Sequence, residues 1–170
     1  MSSPSLRVYP QIVGRVSSPV GIGALGHDIN WPSDAPAYSI EPGTGAGQAD
    51  LFWQSTRTLA ASATENIDLN GALLEAFGST ANFARITLFA VRSAKANTTT
   101  LTFGNVTNGV TLFLGGPTQS FILPAGAMLM FYTPDATALT TTAATADLLK
   151  VANAAGASAT YDIIVAGRSV

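Results

Sequence analysis

Beyond residue 50, turn-forming residues interrupt the chain at intervals of roughly 8 to 12 residues, and between them apolar side chains recur at every second position. Helices of ordinary length do not fit between such interruptions, whereas short strands with one covered face do. In ARITLFAV, Ala84, Ile86, Leu88 and Ala90 share an apolar face opposite a mixed one of Phe83, Arg85, Thr87 and Phe89. Leu101 and Phe103 precede Asn108-Gly109, and Val110, Leu112 and Leu114 follow it. Asn-Gly readily supplies two positive φ angles, so this spacing predicts a hairpin with a two-residue turn. SFIL and AMLMFY flank Pro124-Ala125-Gly126, in which proline presets the first turn position and glycine closes the turn.

Two further strands, ADLLKVAN and SATYDIIVAG, are separated by Ala154-Ala155-Gly156. In the second, Ala159, Tyr161, Ile163 and Val165 lie opposite Thr160, Asp162, Ile164 and Ala166, the pattern of a strand inside a sheet with both faces mostly covered. FWQSTRTLA and NIDL are the early strands. NGALLEAFG is the one helical candidate: Asn70 caps it, Leu73 and Phe77 lie four apart, and Gly78 supplies the left-handed stop. About eight or nine strands and no fixed repeat predict an all-β fold, a jelly-roll-like β-sandwich with one short helix, over residues 51–170.

Residues 1–50 have a different composition, with six of the nine prolines, seven glycines and seven serines. No helical or strand period runs long through such punctuation. Yet Val8, Tyr9, Ile12, Val13, Val16, Ile29, Trp31, Tyr38 and Ile40 are too many apolar groups for a solvated linker. The segment reads as an extended N-terminal arm without a core of its own, held by its own body or by a neighbouring subunit. An extended strand of this kind suits the augmentation of a partner's sheet. Val8, Tyr9, Ile12, Val13, Trp31, Tyr38 and, in the body, Trp53 are the candidate partner-binding residues.

Charge excludes several function classes. Only 11% of the residues are charged and the net charge is −2, with no run of either sign, so no basic groove for nucleic acid is expected. Twenty threonines and 28 alanines take the place of charge. No cysteine and a single histidine leave little transition-metal chemistry. The start of the chain has no apolar core of a secretory signal, and no stretch is long and apolar enough to span a bilayer, so no membrane association is expected. A neutral body has little repulsion to keep copies apart, and self-association is the natural expectation.

No constellation reads as a catalytic centre. His27-Asp28 has no third group and no Gly-x-Ser-x-Gly elbow. Glu65, Asp68 and Glu75 lack the glycine-hinged spacing of a calcium loop, and the simpler reading has Asp68 and Asn70 bonding turns while Glu65 is solvated. GIGALG and GTGAGQ lack the lysine of a phosphate loop. Trp31, Trp53 and Tyr38 are alternatively a platform for stacking glycans. The expectation is a non-enzyme with no catalytic, cofactor or metal residues.

The runs DLNGALLEAFGSTANFARITLFAVRSAKANTTTLTFG and LPAGAMLMFYTPDATALTTTAATADLLKVANAAGASATYDIIVAGRS resemble small structural proteins of tailed bacteriophages. The resemblance covers about residues 50–168 and consists of strands and turns, not reactive groups. It implies a capsid cement or decoration subunit on the outer surface of the virion, a homotrimer whose partner is the major capsid protein. A tail-fibre or head-spike module that binds glycans, and an adaptor at the neck or tail, are the alternatives.

Overall fold

The computed structural model describes residues 4–9, 11–18, 25–31, 38–75, 78–111 and 114–170. These form two compact units, Ser5–Ile40 and a larger one containing Glu41–Val170. The first unit has strands β1 (Leu6–Val8), β2 (Ile12–Ser18), β3 (Leu25–Trp31) and β4 (Tyr38–Ile40). β1 pairs with β4 and β2 with β3, both antiparallel. The segment expected to be extended is therefore paired with itself. None of its strands contains proline, so every residue in them keeps a backbone donor for the ladder.

The larger unit begins before residue 51, where composition places the boundary. Residues 41–50 are tied to the body: the Asp50 amide donates to the Gly167 carbonyl at 3.0 Å, and the Thr87 hydroxyl donates to the Gln48 carbonyl at 3.0 Å. Buried Arg168 donates to the carbonyls of Thr44 at 3.3 Å and Ala136 at 3.0 Å. Sequence composition registers proline and glycine, and these long-range bonds leave no trace in it.

The body strands are β5 (Leu51–Leu59), β6 (Thr64–Asp68), β7 (Asn70–Leu74), β8 (Thr80–Asn82), β9 (Arg85–Ser93), β10 (Leu101–Gly104), β11 (Ser120–Leu123), β12 (Met128–Tyr132), β13 (Leu139–Thr140), β14 (Leu148–Asn153) and β15 (Ala159–Arg168). One sheet has the order β11-β10-β14-β6, and the other β12-β9-β15-β5 with β13 also on β9. The pairing is nested: β5 with β15, β6 with β14, β9 with β12, and β10 with β11. All four pairs are antiparallel, so the chain doubles back on itself as one long folded hairpin.

The two sheets share one core. Phe103, Leu101, Leu149 and Val151 from the first meet Phe89, Val91, Tyr161, Ile163 and Val165 from the second. Phe103 stacks on Phe121 with ring centroids 5.1 Å apart and meets Tyr161 edge-on at 5.6 Å. The larger unit is thus an all-β, two-sheet sandwich, and β15 lies between β9 and β5 with Ala159, Tyr161, Ile163 and Val165 buried as their alternation requires.

Three local expectations are corrected. NGALLEAFG is not a capped helix: residues 70–74 are strand β7, which pairs Leu73 with Ala81 and Leu74 with Thr80 of β8. Gly78, at φ 84°, serves the turn that the Gly78 amide closes on the Glu75 carbonyl. A single short helix is marginal in water, whereas this hairpin buries Ala81 and packs Leu73 on the core. Phe77 lies outside the described residues. Nor does β10 pair with the segment after Asn108-Gly109. Gly104 and Asn105, at φ 102° and 59°, turn the chain away, and β10 pairs with β11 instead. Asn108 does take a positive φ of 62°, in a turn closed by the Gly109 amide on the Val106 carbonyl. Finally, the ladder of β15 on β9 shifts between Ala166 and Gly167. The bulge leaves Thr87 as the extra residue on β9, so Ile86 and Phe89 both reach the core and strict alternation fails.

The turn at Pro124 forms as expected, with Gly126 at φ 74° and the Ala127 amide on the Pro124 carbonyl at 3.1 Å. It carries the chain from one sheet to the other.

Two glycines are fixed by close backbone approach. A Cβ on Gly167 would stand 2.1 Å from the Arg85 carbonyl oxygen, and one on Gly104 would stand 2.3 Å from that of Gln119. Gly167→Ala and Gly104→Ala are each expected to cost about 3 kcal/mol in urea denaturation. Gly116→Ala, where the nearest atom to a new Cβ is the Gln119 Cγ at 3.5 Å, is the control and should stay within about 0.5 kcal/mol.

Candidate functional site

The candidate binding residues separate into open and closed groups. Tyr9, Ile12 and Val13 are exposed, at 65%, 60% and 71%. Ile12 and Val13 are consecutive on β2, across from Trp31 and Asn30, so their side chains leave opposite faces of the hairpin and both faces present apolar surface. Tyr38 is half-buried and Val8 is buried, the two being register partners in β1 and β4. The side chain of Trp31 lies outside the described residues.

Trp53 is a correction. It sits on the inner face of β5 with 6% exposure and belongs to the core, where no partner or sugar ring can stack on it. The alternation of β5 decides this: Leu51, Trp53 and Leu59 point inward, and Gln54, Thr56 and Thr58 point out. Val8 is likewise a packing residue rather than an open contact.

The acidic candidates are also absorbed by the fold. Glu65 is not solvated. It accepts from the Tyr161 hydroxyl at 2.7 Å and from Arg57 Nε at 2.6 Å, joining β6 of one sheet to β15 and β5 of the other. Asp68 takes the Asn70 amide at 2.9 Å, the turn bond expected of it. Buried Glu75 accepts from the Phe52 amide at 3.2 Å at the free edge of β5. Among the described residues no three His, Cys, Asp or Glu side chains converge as metal ligands. The side chain of His27 lies outside the described residues.

The remaining surface of note is the outer face of the β12-β9-β15-β5 sheet. It holds a shallow depression of about 520 Å³, lined by Gln54, Thr56, Ala90, Arg92, Met128, Asp162 and Ile164 among others. At its rim Arg92 Nη2 lies 2.6 Å from Asp162 Oδ2, and the Thr56 hydroxyl donates to Asp162 Oδ1 at 2.7 Å. The Thr56 bond first, and then Arg92, hold the Asp162 carboxyl below the usual range. Such an arrangement positions charge and offers apolar contact. Composition gave no sign of it, because Ala90, Arg92, Asp162 and Ile164 converge only through the register of β9 on β15.

No protein-family model, curated protein or solved structure matches the chain significantly. Among the described residues no helix is long and apolar enough to cross a membrane.

Tyr161 provides a test of the bond between the sheets. Burial, and then its bond to Glu65, push its phenol well above the ordinary range. The native state therefore keeps this proton when unfolded tyrosine, titrating near about pH 10, has released it. The stabilisation is present below that pH and is lost as pH rises above it. Urea titrations between about pH 9 and 11 should show the wild type losing up to about 1 kcal/mol per pH unit more than Tyr161→Phe.

Proposed function

We propose that this chain is a non-enzymatic structural subunit of a virus particle, a capsid cement protein of the tailed-bacteriophage kind. In this reading it associates with copies of itself and with the major capsid protein on the outer surface of the shell. The observation that carries it is the unit Ser5–Ile40, a compact paired-strand structure of its own, with Tyr9, Ile12 and Val13 open to solvent. Exposed apolar groups on both faces of a small hairpin favour insertion between two surfaces over packing on one.

We read the nested pairing of the body strands as a jelly roll, an architecture that closes a stable block around one core and leaves its ends free to carry contacts. The polar groups of the body support the same reading. Glu65, Glu75 and Asp68 bond within the chain itself. Mechanically, the hairpin buries apolar area across the boundary between neighbouring capsid subunits, at about 25 cal/mol per Å². Pulling those subunits apart then requires stripping the cement as well. Glycan recognition loses one of its three aromatic candidates, since Trp53 is in the core.

The double substitution Ile12→Asp/Val13→Asp places charge on both faces of the hairpin and leaves the sequence of the body unchanged. Co-sedimentation with particles assembled from the major capsid protein should fall at least tenfold, and the heat resistance those particles gain should be lost. Unchanged co-sedimentation would refute the docking role of the hairpin. Mass spectrometry of purified particles should find about one copy per major capsid protein, and a few copies per particle would favour a tail or neck position.

A further inference from the structure

We propose that the outer face of the β12-β9-β15-β5 sheet is a two-fold interface between copies of this chain. The argument comes from how strand register arranges that face. One row across the sheet reads Met128, Arg92, Asp162 and Thr56, and the next reads Met130, Ala90, Ile164 and Gln54. A two-fold axis parallel to the strands, running between β9 and β15 in the plane of contact, exchanges the two middle columns. Arg92 of each copy then faces Asp162 of the other, and Ala90 of each faces Ile164.

Both exchanges are complementary. The first sets opposite charges against each other twice, turning two exposed pairs into a four-charge ring. Within one copy the pair is open to water, with side-chain exposures of 63% for Arg92 and 36% for Asp162, and such a pair contributes little by itself. The second exchange sets a large branched side chain over a small one. Ala90 helps to line the depression of about 520 Å³, so it leaves room for the Ile164 of a second copy to enter. Sheets packed face to face keep their strands nearly aligned, which this axis preserves.

The same charges select the occupant. A foreign partner with a uniform positive or negative surface gains from one member of the pair and loses from the other. A second copy turned about the axis satisfies both, which is the self-complementarity of an isologous contact. Exposed Met128, at 66%, and half-buried Met130 extend the apolar contact along the β12 edge. The interface is independent of the docking of Ser5–Ile40, and either can fail without the other.

Sedimentation equilibrium of the full chain, from micromolar to submillimolar concentration, tests the proposal. The wild type should dimerise. Arg92→Glu and Asp162→Arg should each raise the dimer dissociation constant at least tenfold, because each sets like charges face to face. The double exchange Arg92→Glu/Asp162→Arg should restore association to within about threefold of wild type. Ala90→Met, which fills the depression, should weaken the dimer while circular dichroism shows the fold retained. A wild type that stays monomeric, a trimer, a dimer indifferent to the single reversals, or a double exchange that fails to restore association would each overturn the two-fold face.

Discussion

Tyr161 is the side chain on which the two sheets meet. Its ring, fully buried on the central strand β15, stands edge-on to Phe103 of the opposing sheet, and its hydroxyl reaches Glu65 on β6 of that same sheet. One residue therefore contributes both the apolar area that drives the sheets together and the directional bond that sets how they lie. Arg57, its register partner on β5, completes the arrangement by bonding the other oxygen of Glu65. A buried polar group left unpaired costs more than a made bond contributes. The three side chains consequently fix one alignment of the sheets in preference to neighbouring ones.

That alignment explains why the surface is specialised. With Glu65 and Glu75 bonded within the larger unit, two surfaces stand out: the open end of the hairpin with Ile12 and Val13, and the sheet face around Ala90 and Ile164. The two differ in kind. The hairpin offers the exposed apolar groups Ile12 and Val13, while the sheet face carries a rim of opposed charges. The first is suited to a surface whose shape does the selecting, the second to a partner that repeats the same charges in mirrored order.

The sequence reveals the strands much better than their neighbours. SATYDIIVAG, FWQSTRTLA and the Pro-Ala-Gly turn are legible because alternation and turn chemistry are local properties. NGALLEAFG misleads for the same reason. Its helical spacing is locally sound, but the tertiary contacts of Leu73 and Ala81 outweigh a propensity of a fraction of a kilocalorie per residue, about 0.5 kcal/mol. The expected Asn-Gly turn does not form: the turn there has Thr107 and Asn108 at its centre, and Gly104 and Asn105 divert the chain before a hairpin can close. Trp53 is decided by the parity of β5, which aromatic content alone does not disclose. The rim of Arg92 and Asp162 depends on pairing between residues seventy positions apart, and a single sequence contains no signal for such distance.

The nested pairing has a kinetic meaning. Its outermost pair joins β5 to β15, so the first long strand of the body waits for the last before either is complete. The pair of β9 with β15 waits likewise, and the core cannot be sealed until Tyr161 and Ile163 arrive. Loop closures this long make folding slow compared with proteins of local topology. The hairpin of Ile12 and Val13, in contrast, pairs only within its own neighbourhood and is translated first. During synthesis its exposed Ile12 and Val13 are therefore present well before the last strand of the body. Apolar groups exposed at that stage are the ones through which unfinished chains associate, until β15 closes the sandwich.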